Sequence, residues 1–235
     1  MRITPLRVRL LSPMFNYCTV TKGGALTSDF IGDIALTYAL NRLLKDQNGN
    51  GSPLIVGQHG EFRRKPVYEE LNKLPYFFTV ARPLRMERTP IYRRYTSFQS
   101  DNFFDAEGIF KIRGQNPKYG SFVYKYSFLV QGISPESEFS TCLLSANSFV
   151  LPHLPFAVRL GTGRECLALL EQEKSFDDEV WLNAFALKTI FRNLPQAVRI
   201  LDKSYFFTYK LENYILMKRI TIAQTQKIFE DIFDG

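Results

Sequence analysis

The stretch Arg2–Leu44 runs RITPLRVRLL, then SPMFNYCTVTKGGALTS, then DFIGDIALTYALNRLL, and reads as a strand, a polar loop with a Gly-Gly pair, and a helix. In the strand, Leu6, Val8 and Leu10 alternate with Arg7 and Arg9. Successive strand side chains point to opposite faces, so one face is apolar and the other carries two guanidinium groups. Pro5 has no N–H to give to a ladder, which places the regular strand from Leu6 onward or on a sheet edge. Ser28 is an N-cap candidate for the helix, with Asp29 beside the positive end of its dipole. Asp33, Thr37 and Asn41 fall four apart on one stripe, and almost every other helix position is apolar. A helix apolar around most of its circumference is a buried one. The expectation is therefore a helix packed on the apolar sheet face, with the arginine face open to a ligand, as in RNA recognition by an open sheet. Taken alone, the stretch also describes an ordinary α+β core with solvated arginines.

The chain has 235 residues, enough for a sizeable core in one large domain or two small ones. Aromatics are 14% of it, with 21 Phe and 12 Tyr against a single Trp, so the core should be aromatic-rich. Lys and Arg outnumber Asp and Glu by 30 to 23, giving a net charge of +7 that favours a polyanionic partner without requiring one. Cys18, Cys142 and Cys166 are odd in number, far apart and without metal-ligand spacing, which points to free thiols in a reducing compartment. No apolar run approaches the ~20 residues needed to span a bilayer, and the first residues lack a signal-peptide core. A cytoplasmic protein with no membrane partner is expected.

Beyond the first helix, Lys45–Pro53 is a loop by its two Asn-Gly steps and proline. His59 sits in a polar loop context. Tyr76–Ala81 (YFFTVA) reads as a buried strand. Arg82–Arg94 (RPLRMERTPIYRR) then changes character, with five arginines among thirteen residues and Glu87 as its only acid. Guanidinium groups on a proline-stiffened segment grip phosphates bidentately and stack on bases. Arg82, Arg85, Arg88, Arg93 and Arg94 are the leading candidates for nucleic-acid contact. A solvated β-hairpin arm is the plain alternative.

Gly108–Arg113 and Ser121–Val130 read as two strands about a turn, and Lys111, Arg113, Lys118 and Lys125 keep that hairpin basic. Ser134–Ser140 reads as a loop with two glutamates. Phe156–Leu160 is a strand entering a Gly-Thr-Gly turn, followed by a short helix or strand. That turn lacks the spacing of a nucleotide-binding fingerprint, yet between Arg159 and Arg164 its N–H groups suit a phosphate. Val180–Phe191 is amphipathic and ends before Pro195. Tyr205–Leu211 and Tyr214–Ile220 form a hairpin about Glu212-Asn213, and the tail from Thr221 is a short helix.

Catalytic patterns are scarce. Neither of the two histidines, His59 and His153, has metal-binding spacing or lies near a cysteine, and there is no nucleophile elbow or Walker motif. The acid pairs Asp177-Asp178 and Glu69-Glu70 sit in runs that read as solvated surface. No metal or cofactor is expected. A metal-independent ribonuclease would need a histidine with a lysine or tyrosine, and nothing in the sequence brings such groups together.

Several stretches, in order over most of the chain, resemble the Cas-five-type subunit of type I-D CRISPR surveillance complexes, the Csc-one family. They are DIALTYAL in the first helix, YFFTVARP followed by IYRRYTSF, GIFKIRG, PFAVRLGTG and VWLNAF. Two positions depart from the family pattern: Thr162 stands where a lysine is usual, and Phe185 where an aspartate is common. The resemblance implies an α+β, ferredoxin-like and RRM-related (RAMP) core in a single domain over 1–235, with a large inserted basic β-arm at roughly 82–170. It further implies a non-catalytic RNA-binding subunit that binds the five-prime handle of CRISPR RNA and caps the backbone filament beside the large subunit. Help in reading the protospacer-adjacent motif of target double-stranded DNA follows from the same resemblance. The alternative is a processing endoribonuclease for CRISPR repeat RNA. On this view Arg7, Arg9, Lys22, Arg82, Arg85, Arg88, Arg93, Arg94, Arg159 and Arg164 are the candidate RNA contacts. Lys111, Arg113, Lys118 and Lys125 are the candidate DNA contacts. The implied partners are CRISPR RNA, target DNA, the backbone subunit and the large subunit.

Overall fold

The computed structural model describes residues 1–15, 17–21, 24–48, 68–95, 127–161, 165–200, 206–211 and 214–233. In chain order the elements are β1 (Arg2–Leu10), β2 (Tyr17–Thr21), β3 (Gly24–Thr27), α1 (Asp33–Asn48), a short 3-10 helix (Tyr68–Lys73), β4 (Tyr76–Phe78), β5 (Arg82–Arg85) and β6 (Tyr92–Tyr95). There follow β7 (Ser127–Gln131), β8 (Glu138–Ser145), β9 (Phe156–Leu160), β10 (Cys166–Gln172), β11 (Val180–Asn183), α2 (Ala184–Thr189), α3 (Leu194–Ile200), β12 (Phe206–Leu211), β13 (Tyr214–Ile220) and α4 (Ile222–Phe233). The fold is mixed α/β. Among the described residues no helix is long and apolar enough to cross a membrane.

The main sheet has the order β4-β8-β1-β10-β9, with β5 also paired to β8, and every pairing in it is antiparallel. β1 is central and starts at Arg2, earlier than Pro5 led us to expect. The physical reason is visible in the register. Pro5 sits opposite Cys142 of β8, while its carbonyl accepts the Glu173 N–H at 3.2 Å on the other side. The N and O of one strand residue point the same way, so the missing N–H faces β10 where that ladder begins at Leu6, and no bond to β8 is lost. Leu6, Val8 and Leu10 are fully buried, as their alternation requires.

α1 covers the inner face and the β4 edge, but it starts four residues later than a Ser28 cap would put it. Ile31 is held extended by two backbone bonds with Ala81, and the first helical acceptor is the Gly32 carbonyl, which takes the Leu36 N–H. Ser28 instead donates to the Phe30 carbonyl at 2.8 Å. The stripe Asp33, Thr37 and Asn41 is buried, not solvated. Thr37 Oγ1 donates back to the Asp33 carbonyl at 2.8 Å and accepts the Phe78 N–H at 3.1 Å; Tyr76 OH donates to Asn41 Oδ1 at 3.1 Å. The helix thereby satisfies polar groups along β4 that an edge strand would leave open.

β8 was not expected as a strand; its first residues read as the loop Ser134–Ser140. It is buried almost throughout and pairs with β1, β4 and β5. Of the stretch 82–170 expected to form an inserted arm, β5 and β8–β10 are therefore strands of the main sheet. β6 and β7 lie in a second sheet ordered β2-β3-β7-β6. A third sheet, β11-β13-β12, joins the main one through the Val80–Trp181 bridge. Val180–Phe191, read as one amphipathic stretch, is split into β11 and α2 by Asn183, whose Oδ1 caps the helix by accepting the Phe185 N–H. α4 opens with a capping box: Thr221 Oγ1 accepts the Gln224 N–H at 3.2 Å, and Gln224 Oε1 accepts the Thr221 N–H at 2.9 Å. One apolar core runs continuously from β1, α1, β8 and β10 to α2 and α4.

Candidate nucleic-acid interface

Arg7 and Arg9 lie on the outward face of β1, as the alternation demands. The strands on either side bring glutamates to the same face. Arg7 Nη2 donates to Glu173 Oε1 at 2.7 Å and Nη1 to Glu138 Oε2 at 3.3 Å. Arg9 Nη1 donates to Glu136 Oε2 at 3.3 Å and Nη2 to Glu171 Oε1 at 3.5 Å. Arg85 of β5 reaches the second oxygen of Glu138 at 3.2 Å. Hydrogen bonding to Glu173 raises the Arg7 pKa above its ordinary value, and bonding to Glu136 does the same for Arg9. The face is thus a ladder of alternating charge, and its guanidinium groups are not open as the sequence led us to expect. A signal for this was present: Glu136/Glu138 and Glu171/Glu173 repeat the two-residue spacing of Arg7/Arg9, the spacing of one strand face.

The basic stretch 82–94 divides into a buried part and an outward part. Arg82 is 8% exposed; its Nε donates to the Glu179 carbonyl at 3.0 Å and its Nη2 pairs with Asp177. Arg88 donates to the Thr27 carbonyl and pairs with Asp29, tying the approach to α1 to the link between β5 and β6. Both guanidinium groups clamp backbone. Of the acids expected on solvated runs, Asp177 and Asp178 are exposed, Asp177 pairing with Arg82 and Asp178 Oδ1 accepting the Ile222 N–H that opens α4, whereas Glu70 is buried.

The second sheet grows from this clamp. Thr89 Oγ1 accepts the Gly132 N–H at 3.0 Å, the Thr89 N–H goes to the Gly132 carbonyl at 3.1 Å, and Gln131 Nε2 donates to the Thr89 carbonyl at 3.1 Å. Beyond Thr89 the chain enters β6, where Arg93 pairs in register with Leu129 and Arg94 with Phe128 of β7. Arg93 and Arg94 therefore stand at the root of the 96–126 segment, which runs from β6 to β7. Lys111, Arg113, Lys118 and Lys125 lie in that segment, and these four, like Lys22, His59 and Arg164 elsewhere in the chain, are outside the described residues.

Arg159 is exposed on β9, between the buried Val158 and Leu160, and has no ion pair among the described residues. Gly161, which follows β9, has φ +79°, and a Cβ there would come within 2.9 Å of the Phe15 carbonyl. The glycine is thus required for the chain to pass the Met14–Phe15 loop. His153 is exposed, with Nδ1 3.0 Å from the Leu154 carbonyl oxygen. Among the described residues no group of three or more His, Cys, Asp or Glu could hold a metal ion.

The residue cluster that sequence reading missed altogether is polar and buried. Asn183 Nδ2 donates to Asp33 Oδ1 at 3.2 Å, and its Oδ1 accepts N–H groups from Phe185 and Ile215. One side chain thereby joins α1, α2 and β13. Burial raises the Asp33 pKa from 3.8 to about 7, against the opposing pull of hydrogen bonds from the Ile34 N–H and Asn183. Cys142 and Cys166 are free and buried, with burial pushing their pKa values up to about 12 and about 11.

A mixed α/β protein with an arginine-rich chain leading into a second sheet is the class that fold and surface define. The model of the family described as type I-D CRISPR-associated protein Cas5/Csc1 matches residues 1–230, and the chain belongs to that family. No curated protein matches. Among solved structures, a chain of the type III-B Cmr-beta complex bound to cognate target RNA and AMPPnP is similar over 92% of this chain and 84% of its own, at 10% identity and a TM-score of 0.41. A chain of the same complex bound to cognate target RNA alone has the same coverage and identity and a TM-score of 0.37.

Proposed function

We propose that this chain is a non-catalytic RNA-binding subunit of a type I-D CRISPR effector complex, holding the five-prime handle of CRISPR RNA at the end of the backbone filament beside the large subunit. The observation that carries the reading is the family match over residues 1–230. Within the chain the work divides according to which arginines already hold partners. Phosphate contact belongs to Arg93 and Arg94 at the end of β6 and to Arg159 on β9, with Lys22 and Arg164, which lie outside the described residues, as further candidates. Arg7, Arg9, Arg82 and Arg88 are committed to carboxylates and backbone carbonyls, and a phosphate would have to displace those partners. Lys111, Arg113, Lys118 and Lys125 are the candidates for contact with target DNA and its protospacer-adjacent motif. A ferredoxin-like core is supported by the passage β1–α1–β4–β8 with sheet order β4-β8-β1.

The test is RNA binding by purified chain across a salt series, with repeat-derived RNA in EDTA. Each phosphate neutralised contributes roughly −0.7 to −0.9 to the slope of log affinity against log salt. The Arg93→Ala, Arg94→Ala double variant should flatten the slope by roughly one to two units. An unchanged slope and affinity would remove the arm from the interface, and specific cleavage of the RNA in EDTA would replace the binding role by a nuclease.

A further inference from the structure

The outward face of the main sheet carries, next to the charge ladder, an apolar island that the core does not use. Along β10 the inward residues Cys166, Ala168 and Leu170 are buried, while Leu167, Leu169 and Glu171 are half-buried on the other face. Leu169 stands opposite Arg9 on one side and Ala157 on the other; Leu167 stands opposite Arg159. Leu11, whose N–H bonds to the Leu167 carbonyl at 2.8 Å, is 38% exposed and completes the patch. These leucines lie on β10 and just past the end of β1, beside β9, which among the described residues is an edge.

We propose that this face is a docking surface for an aliphatic segment of a neighbouring protein subunit. The proposal rests on the effector-subunit reading above and adds a partner surface to it. Two properties select the occupant. First, the ladder sets Glu136, Glu138, Glu171 and Glu173 against Arg7, Arg9 and Arg85, so it carries no excess of positive charge in a chain of net +7 and does not complement a polyanion. Second, sheets that hold unpaired bases do so with exposed aromatic rings, and the side chains of β1, β9 and β10 on this face include none; Phe156 of β9 is buried inward. An apolar centre rimmed by mutually satisfied charges is the anatomy of a protein interface. The ladder holds the rim side chains in place, and Leu11, Leu167 and Leu169 supply the buried centre.

The test uses the full chain co-expressed with the other proteins of a type I-D effector complex and a guide RNA. Leu169→Asp should lower the chain's incorporation into the purified complex by about tenfold or more, the effect of one charge buried at an interface centre. The same variant, purified alone, should keep the wild-type melting temperature and the wild-type salt slope for RNA. If its melting temperature falls, the Leu167→Ser, Leu169→Ser double variant carries the test. Wild-type incorporation of these variants overturns the proposal, as does a loss of RNA affinity equal to that of the Arg93→Ala, Arg94→Ala variant. A concentration-dependent dimer of the isolated chain that Leu169→Asp abolishes would also overturn it, by giving the face to a second copy. Failure of the wild-type chain itself to enter the complex would sink the effector-subunit reading, a result separate from any effect of Leu169.

Discussion

Asp33 is where a single residue has the most to say about solution behaviour. Its pKa is about 7 in the folded chain and 3.8 as an ordinary carboxyl group. The folded state therefore holds a proton more tightly than the unfolded state does across that window. Stability contributed by the protonated form is complete below pH 3.8 and is lost as pH rises to about 7, beyond which the dependence is flat. The span corresponds to roughly 4 kcal/mol at one unit per 1.36 kcal/mol. Asp33→Asn keeps an acceptor for Asn183 and removes the charge, so its melting temperature at pH 8 should equal or exceed the wild type's. The slope between pH 5 and 7, followed by thermal melts, should shrink in that variant. Asn183→Ala strips the acceptor from the Phe185 and Ile215 N–H groups and the donor from Asp33, and should cost roughly 3 kcal/mol in urea unfolding. At Cys142 and Cys166 burial keeps the thiol neutral, so both should react with an aromatic disulfide reagent only upon unfolding.

At the scale of the element, the strand ends depend on two glycines that hold the Met14–Phe15 loop. A Cβ at Gly132 would sit 2.6 Å from the Met14 carbonyl oxygen, a backbone atom that cannot swing aside. Gly161 adds a left-handed φ to a similar approach. Gly132→Ala and Gly161→Ala should each destabilise by about 1–3 kcal/mol, read from denaturant midpoints at unchanged slope. In sequence, Gly161-Thr162-Gly163 invites a phosphate between Arg159 and Arg164; in the fold, Gly161 is first required by packing against Phe15.

For the whole molecule, the proposed assignment of phosphate contact away from β1 makes a prediction of its own. Arg7→Ala with Arg9→Ala should leave the salt slope for RNA within about half a unit of wild type, because neither guanidinium is open to phosphate. The stability cost should be modest for Arg9, whose pairs are exposed, and larger for Arg7, because Glu173 would lose its partner in a carboxylate only 1% exposed. Measuring urea unfolding beside RNA titrations separates the two effects.

What the sequence by itself determined is the set of elements whose patterns are local. Alternation marked β1, the glycine turn after Leu160 marked β9, an almost wholly apolar turn-to-turn surface marked α1, and the Glu212-Asn213 break marked the last hairpin. Motifs in order along the chain were enough for the family. Only the tertiary structure decided the rest. β8 is buried on both faces, so EFSTCLLS shows no alternation, and its Ser and Thr residues read as loop until their partners in β1 and β4 are known. The arginines of β1 announce a basic face, but whether that face is free depends on Glu136, Glu138, Glu171 and Glu173, each more than a hundred residues away. Side-chain periodicity is written within a strand or helix and survives reading one residue at a time. Charge pairing across strands, and the burial of Asp33 against Asn183, exist only once chain segments distant in sequence have been brought to within hydrogen-bonding distance.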